Sequence, residues 1–164
     1  MTPIQICQVL QHSHVGMSIR KSNWLFPTIE SFHIVGLTLV VGSIMWFDFR
    51  LLGFAKRDSV VEVAKKMFPV TWIGFSIAMI TGGFLFASEA VMCYGNIAFR
   101  LKMLMLVLIG VNGLAYELIT HRNVKQWDVA SSTPFGAKLT AVVSLLLWCG
   151  VICAGRWIAY AGNE

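Results

Sequence analysis

The sequence predicts an all-α integral membrane protein in which four hydrophobic helices pack into one bundle. Hydrophobic residues make up 57% of the 164 residues and charged residues only 13%, whereas soluble domains carry roughly 25% charged residues. The charges lie in clusters between four long apolar stretches, the pattern of a chain whose main solvent is the lipid bilayer. These stretches lack the alternating pattern of a barrel, so helices are needed to pair their backbone polar groups in lipid.

The residues before the first apolar stretch predict a short helix that lies at the membrane interface. Within residues 3–22, four apolar residues lie among polar ones: Ile6, Val9, Leu10 and Val15. This mixture is typical of an interfacial helix. The segment has no continuous apolar run of the length that a signal peptide requires, so no cleaved signal is expected.

The four spans are predicted at about 24–52, 67–89, 97–121 and 136–160. At about 1.5 Å per residue, each is long enough to cross roughly 30 Å of hydrocarbon. Glycines recur in all four spans, and small residues let membrane helices approach closely. No repeat or linker divides the sequence, so residues 1–164 are predicted to form a single transmembrane domain.

Orientation follows from the lysine and arginine residues on each side of the membrane. The first and third connections hold eight of them, and the opposite side holds five. Because cytoplasmic loops carry the excess of positive charge, both chain termini are predicted on the non-cytoplasmic side. The formal net charge of +5 does not indicate nucleic-acid binding, since the basic residues flank apolar segments instead of forming a polar stripe.

His33 is the strongest candidate for chemistry, because ionisable groups within membrane helices are costly and mark functional sites. Glu30, one turn earlier, could accept a hydrogen bond from one imidazole nitrogen and orient the other. Gly36, one turn later, could leave room for a flat group. These residues predict a metal or haem ligand at His33; the alternative is a polar hydrogen bond between helices.

Further ligands and counter-charges are predicted at the level of His33. A second axial ligand could come from the N-terminal segment, and cations in the third and fourth spans could balance haem propionates or an acidic headgroup. The candidate ligands are His12, His14, Met17 and Met92, and the candidate cations are Lys102, Arg100 and Arg156. His121 ends the third span on the other side, about one membrane thickness away, and cannot share a cofactor with His33.

Other polar residues receive structural roles. Asn112 and Glu117 in the third span are predicted to face the bundle interior, because an unpaired amide or carboxylate in hydrocarbon costs several kcal/mol. Asp48 and Arg50, at the opposite end of the first span from His33, are predicted to anchor that end of the helix. No chemistry is assigned to them.

Two stretches of the sequence, with several single positions, form a recognisable pattern. They are Trp24, Pro27, Glu30, His33, Gly36 and Gly42 with 48–53, the ending 144–148 with 155–160, and Phe68, Pro69, Trp72, Thr81, Gly82 and Lys102. In these positions the chain resembles a family of small bacterial four-helix membrane proteins of unknown function. The resemblance implies four helices in a bacterial inner membrane and supplies no activity. A weaker likeness links the chain to b-type cytochrome membrane subunits and copper-resistance membrane proteins.

The leading hypothesis is an inner-membrane subunit that holds one haem b through His33 and passes electrons between a periplasmic redox partner and the quinone pool. The second and fourth spans contain no histidine, so at most one haem is expected. The alternatives are a cofactor-free membrane anchor or assembly protein, and a small transporter or metal-handling protein. No nucleophile–base pair or phosphate loop is present, so the chain alone is not predicted to be an enzyme. A homo-oligomer is compatible with the many small residues.

Overall fold

The computed structural model describes residues 2–54, 58–120 and 133–161, together with Val124 and Asp128. These residues are almost entirely helical and form no strand. Four of their helices are long and apolar enough to cross a membrane, with spans Leu25–Leu52, Val60–Ser88, Ile97–Leu118 and Phe135–Ile158. The predicted fold class, an all-α membrane bundle, is confirmed, and the chain is a multi-pass membrane protein.

The helices follow one another with short connections in the described part of the chain. They are α1 Pro3–Gln11, α2 His14–Lys21, α3 Leu25–Leu52, α4 Val60–Ser88, α5 Ala90–Gly95, α6 Ile97–Ala115 and α7 Phe135–Ala161, and a π-helical turn, Tyr116–Thr120, continues α6. Gly53 ends α3 with a φ of 100°, a left-handed conformation that glycine adopts without strain.

Two elements differ from the sequence prediction. The predicted interfacial helix is divided into α1 and α2, because Ser13 breaks the first helix and caps the second by accepting a hydrogen bond from the Gly16 amide. Helix α4 begins at Val60, seven residues before the predicted start, where Ser59 accepts from the Glu62 amide. Its first two turns are amphipathic, so they extend the helix beyond the apolar stretch.

The spanning helices pack most closely in two antiparallel pairs, α3 with α4 and α6 with α7, and α3 also packs on α7. At the first contact, a Cβ atom at Gly36 would lie 2.8 Å from the Ala78 nitrogen, and one at Gly74 would lie 2.8 Å from the Gly36 carbonyl oxygen. Glycine is therefore required on both helices for this approach. Further along α3, the hydroxyl groups of Ser43 and Thr71 form a hydrogen bond of 2.7 Å.

Two regions of the bundle lie at opposite ends of α3. The "His33 end" is the end of the bundle where α3 begins, and the "Asp48 end" is the end where it finishes. Fifteen residues separate the two side chains, about 22 Å along the helix axis. Residues packed at the Asp48 end include Phe47, Leu51 and Val63.

The short helices lie at the His33 end. Helix α1 packs on α5 and α2 on α4. The Val91 amide donates to the Gln11 side chain at 2.9 Å, and Arg20 pairs with Glu89 at 3.7 Å. The N-terminal segment is thus attached to the end of the bundle. His121 and the loop cations Lys56, Arg57, Arg122 and Lys125 lie outside the described residues.

Candidate functional site

His33 lies in the third turn of α3 and turns towards α4. Its Nδ1 is 3.0 Å from the Ala78 carbonyl oxygen and 3.1 Å from Thr81 Oγ1. A carbonyl can only accept, so Nδ1 carries the proton and donates to Ala78. The Thr81 hydroxyl donates to the Ile77 carbonyl, which leaves its oxygen able to accept from the same N–H. The neutral imidazole therefore has its lone pair on Nε2.

The surroundings of the ring favour a ligand at Nε2. Within the described part of the chain, that nitrogen has no hydrogen-bond partner. A histidine that binds a metal through one nitrogen usually donates its other N–H to a carbonyl or carboxylate, which fixes the tautomer and the ring orientation. Ala78 provides this second interaction for His33. The arrangement meets one requirement of a metal or haem ligand and also gives the interhelical hydrogen bond of the alternative hypothesis.

Gly82 makes room for the imidazole on the face of α4. A Cβ atom at this position would lie 3.0 Å from His33 Cε1, closer than side-chain carbons normally approach. At the next residue, Gly83, no atom would come within 4 Å. Of these two adjacent glycines, only Gly82 shapes the surroundings of the histidine.

Lys102 is the charged residue that acts on His33. It lies six residues into α6 and is partly buried, and a Cβ atom at Gly155 of α7 would lie 3.9 Å from its Nζ. Among the described residues, no carboxylate forms an ion pair with it. A cation buried in this way requires an anionic or hydrogen-bond-accepting partner. The structure therefore brings a lysine on α6 and a histidine on α3 into one electrostatic site.

Glu30 and Gly36 have surroundings that differ from the predicted ones. Glu30 is exposed, and the carbonyl of Ala78 on the neighbouring helix orients the imidazole instead. Gly36 is buried against α4, which occupies the space that a flat group would need. A porphyrin at His33 would have to lie on another side of the ring.

The candidate second ligands lie on the short helices of the His33 end and between them. The side chains of His12, His14 and Met17 are all exposed on the N-terminal helices or between them, and the His12 ring bonds to the Gln8 carbonyl of its own helix at 2.8 Å. Met92 is partly buried on α5. Among the described residues, no group of three His, Cys, Asp or Glu side chains could hold a metal ion.

Arg100 and Arg156 are both exposed and interact with nearby tyrosines. Arg100 lies 5.3 Å from the ring centre of Tyr94 and donates from Nε to its carbonyl. Arg156 lies 6.0 Å from the ring centre of Tyr160. Cations stacked on aromatic rings are typical of the membrane interface. Of the three predicted cations, Lys102 is the one associated with His33.

Cys93 is a buried thiol on α5 near this site. Burial raises its pKa to about 11, and the charge of Glu89 raises it further while Lys102 opposes the shift. The group is therefore a neutral thiol at physiological pH and not a thiolate, the form in which cysteine binds metals. Cys93 is a poor candidate for a metal ligand.

Three contributors to polar sites were not identified from sequence: Thr81 and Gly82 beside His33, and Asp48 at the opposite end. Thr81 and Gly82 belong to a helix with no ionisable residue in its central part, and their role depends on the register between α3 and α4. Asp48 was assigned to an anchoring role, yet only 4% of its surface is exposed. The sequence does contain a signal for a buried polar site at Asp48, because an ionisable residue within a spanning helix is costly and uncommon.

The predictions for the third span are correct for one of the two residues. Asn112 is partly buried, and its amide donates to the Thr140 carbonyl of α7 at 3.0 Å, so it faces the bundle interior as expected. Glu117 is exposed in the π-helical turn, so the prediction that it faces the interior is wrong. The wider π turn falls where α6 reaches the end of its span.

Comparison with known proteins gives one match. A family model described as a family of unknown function (DUF6644) matches residues 11–161. No curated protein and no solved structure matches the chain.

Proposed function

The chain belongs to the DUF6644 family of unknown function, and from that starting point we propose that it is a bacterial inner-membrane subunit holding one haem b at the His33 end. In this proposal His33 Nε2 would hold the haem iron, and the bound haem would supply one-electron chemistry between the quinone pool and a periplasmic partner. Both termini lie on the periplasmic side.

One observation carries the proposal: the hydrogen bond from His33 Nδ1 to the Ala78 carbonyl. It leaves Nε2 as the nitrogen with a lone pair and holds the ring against α4, which is how proteins orient an axial histidine. Lys102 adds the positive charge that a propionate would need at this depth, since an anionic group in the membrane must be neutralised.

The geometry also favours a particular coordination state. The side chains of His12, His14 and Met17 are exposed, and the hydrogen-bond partners of His33 among the described residues are Ala78 and Thr81, so for a single copy of the chain we expect the spectrum of a haem with one protein ligand. A second ligand supplied by another copy in a homo-oligomer would give a six-coordinate, low-spin haem instead. The absorption spectrum separates these two forms.

A quinone is the proposed electron donor or acceptor because it reaches the site from the membrane. An open groove, lined mainly by apolar groups, lies between α6 and α7, and Leu101, Met105 and Trp157 contribute to it. Its residues include Asn96, which caps α6 next to α5, so the groove reaches the end of the bundle that holds the short helices. Such a surface suits an apolar tail.

The experiment is expression in haem-replete cells, extraction in mild detergent, and absorbance of the purified protein before and after reduction with dithionite and with a water-soluble quinol. We expect a Soret band that shifts on reduction and up to one haem per chain by the pyridine haemochrome assay. If no Soret band appears in the purified protein or after addition of haemin, the haem proposal is wrong.

The cofactor-free anchor is the second candidate, favoured by the same interhelical hydrogen bond. If His33 serves only to join α3 to α4, the melting temperature of His33→Asn should be close to that of the unmodified protein, because an amide can also donate to the Ala78 carbonyl. Three results together would support the anchor hypothesis. The purified protein would contain no haem, His33→Ala would lower its melting temperature, and His33→Asn would not. Metal analysis of the same sample tests the metal-handling alternative.

A further inference from the structure

The carboxylate of Asp48 is buried inside the spanning part of the bundle with one oxygen unpaired. The side chain lies in the last two turns of α3 and the residue is 4% exposed. Its Oδ2 is inaccessible and has no hydrogen-bond partner among the described residues. The Ser144 hydroxyl of α7 interacts with the carboxyl group, so only part of its hydrogen-bonding capacity is met.

A second buried polar atom lies on the same face of α7. Trp148 is one turn after Ser144, and its Nε1 is also buried without a partner in the described part of the chain. Indole nitrogen can only donate. An incompletely paired acceptor and an unpaired donor on adjacent helices are unusual in a protein interior, where nearly all buried polar groups are paired.

The described charged groups around Asp48 form no ion pair with it. On its own helix, the Arg50 guanidinium points to Asp128, 3.6 Å away, and donates from Nε to the Asp58 carbonyl. On the α6 side lie Tyr116 and, exposed, Glu117. On α7 the neighbours are Ser144 and Trp148, and Lys138 is exposed, as are Lys65 and Lys66 on α4. Among the described residues, no cation forms an ion pair with Asp48.

A carboxylate that is buried, incompletely hydrogen-bonded and without a cation is strongly disfavoured as the charged form. It becomes neutral by binding a proton, and a protonated carboxyl can donate from Oδ2 to an acceptor. We propose that Asp48 is a proton-binding site within the membrane-spanning bundle, which takes its proton from water at the Asp48 end and releases it there. On loading, the Oδ2–H bond forms as hydronium loses a proton; on release that bond breaks and water accepts the proton.

The route to water is short on this side. Arg50, only two residues beyond Asp48, lies at the end of α3, and its guanidinium donates to the carbonyl of Asp58, an exposed residue in the connection that follows α3. In the other direction, the tight contact of Gly36 with Gly74 separates Asp48 from His33. The proposal concerns the Asp48 end alone and does not depend on a haem at His33.

Infrared spectroscopy of the purified protein is the decisive test. We expect a carbonyl-stretch band of a protonated carboxylic acid at neutral pH that disappears in alkali and is absent from Asp48→Asn. If that variant does not fold, Asp48→Glu should move the band to the position of a glutamic acid. A band that is unchanged in these variants, or no band at all in the unmodified protein, would overturn the proposal.

Labelling with dicyclohexylcarbodiimide locates the proton by a separate chemical route. The protonated carboxyl transfers its proton to a carbodiimide nitrogen, and the carboxylate oxygen attacks the central carbon; rearrangement gives a stable N-acylurea that mass spectrometry detects. We expect this adduct on the Asp48 peptide, at lower yield as pH rises. Asp128 is the internal control, because its paired carboxylate should not react.

Sodium chloride distinguishes a proton from a small cation. A carboxylate that binds Na⁺ is protected from the carbodiimide by Na⁺ in a saturable manner and loses its carboxylic-acid band when Na⁺ is added. We expect neither effect when choline chloride is replaced by sodium chloride at constant ionic strength. Protection by Na⁺ together with loss of the band would overturn the proton assignment and identify a cation site.

Discussion

At His33, one interhelical hydrogen bond determines which nitrogen is available for chemistry. Because the Ala78 carbonyl accepts from Nδ1 at 3.0 Å, the remaining lone pair is on Nε2, and Gly82 allows the ring to lie against α4. The residue therefore joins two helices and presents a possible ligand atom at the same time. Replacing the imidazole ring would remove both the interhelical hydrogen bond and this nitrogen.

The first prediction is that His33→Ala removes bound haem, while His121→Ala leaves it in place. In the sequence, His33 lies near the start of the first predicted span and His121 at the end of the third, so one haem is not expected to contact both. Soret absorbance per mole of purified protein measures the effect. His12→Ala is a matched control for loss of a histidine, since that side chain is exposed and bonded within its own helix.

Two results would contradict this assignment. Loss of the Soret band in the His121 variant with retention in the His33 variant would move the haem to the other end of the bundle. Retention in both would assign the iron to Met17, Met92, His12 or His14, or to a neighbouring chain. Circular dichroism of each variant is needed to show that its helices are intact.

A polar hydrogen bond between helices at His33 was one of the two roles predicted from sequence, but its partners could not be predicted. An imidazole in an otherwise apolar stretch is recognisable because its burial is costly. Glu30 was a reasonable partner by helical spacing, yet Ala78 and Thr81 are 45 and 48 residues away. Which backbone carbonyl faces a side chain depends on the register of two packed helices, and residue spacing within one helix does not determine it.

Among the elements, α3 and α4 form the closest pair, and glycines at their contact explain why. The second prediction is that Gly36→Ala destabilises the protein and Gly42→Ala does not. A Cβ atom at Gly36 would lie 2.8 Å from the Ala78 nitrogen, whereas none of the atoms around Gly42 is within 4 Å of its Cβ position. Overpacking of this kind costs about 1–3 kcal/mol.

Thermal unfolding in detergent, followed by fluorescence-detected size exclusion, measures this difference. The Gly42 variant controls for the general effect of replacing glycine by alanine in a helix, which by itself favours the helix by about 1 kcal/mol. Equal melting temperatures for the two variants would show that α3 and α4 are not in close backbone contact at Gly36.

The start of α4 depends on a residue far away in sequence. Asp128 accepts hydrogen bonds from the Ser59 hydroxyl at 2.6 Å and the Val60 amide at 2.7 Å, and Arg50 lies 3.6 Å from it. An acidic group at this position also interacts favourably with the helix dipole. Asp128 therefore joins the ends of α3 and α4 to the connection before α7.

The third prediction is that Asp128→Asn destabilises the protein at neutral pH by about 1–3 kcal/mol, the usual cost of losing hydrogen bonds to a charged group. Burial alone would raise the pKa of Asp128, but hydrogen bonds from Ser59, Val60 and Val61, together with the charge of Arg50, hold it below its ordinary value. Its stabilising contribution is thus present above the ordinary pKa, about 4, and is lost as pH falls through the lowered pKa.

Melting temperatures at a series of pH values test this directly. The difference between the unmodified protein and Asp128→Asn should be constant from neutral pH to about pH 5 and should decrease below about pH 4. A difference that grows on acidification would mean that the carboxyl group is stabilising in its protonated form. Glu62→Gln is a suitable control, because that side chain is exposed in the same first turn of α4.

The existence of the four spans could be predicted from hydropathy, but the full extent of α4 could not. Residues 60–66 combine Val63 and Ala64, which are buried, with Lys65 and Lys66, which are exposed. A search for uncharged apolar runs excludes such a segment, although its spacing is that of an amphipathic helix. The capping role of Asp128 was also hidden, because 68 residues separate it from Val60.

For the whole molecule, the important feature is that buried polar residues occur at both ends of α3 and are separated by close helix packing. His33 is bonded to α4 at one end and Asp48 is buried against α7 at the other, about 22 Å apart along the axis. Between them, Gly36 contacts Gly74 and Ser43 is bonded to Thr71. The two polar residues therefore lie near opposite ends of the bundle, with closely packed helices between them.

The fourth prediction is that the termini and the His33 end face the periplasm, and the Asp48 end faces the cytoplasm. The first and third connections and the segments beside them hold eight basic residues against five on the other side, and such an excess is retained in the cytoplasm. The eight are Arg50, Lys56, Arg57, Lys65, Lys66, Arg122, Lys125 and Lys138. The four spans, an even number, place both termini on one side.

A periplasm-active reporter fused after Glu164 should be active and a cytoplasm-active reporter silent; a fusion in the first connection, after Arg57, should give the reverse. The opposite pair of results would place His33 on the cytoplasmic side and make Asp48 exchange its proton with the periplasm.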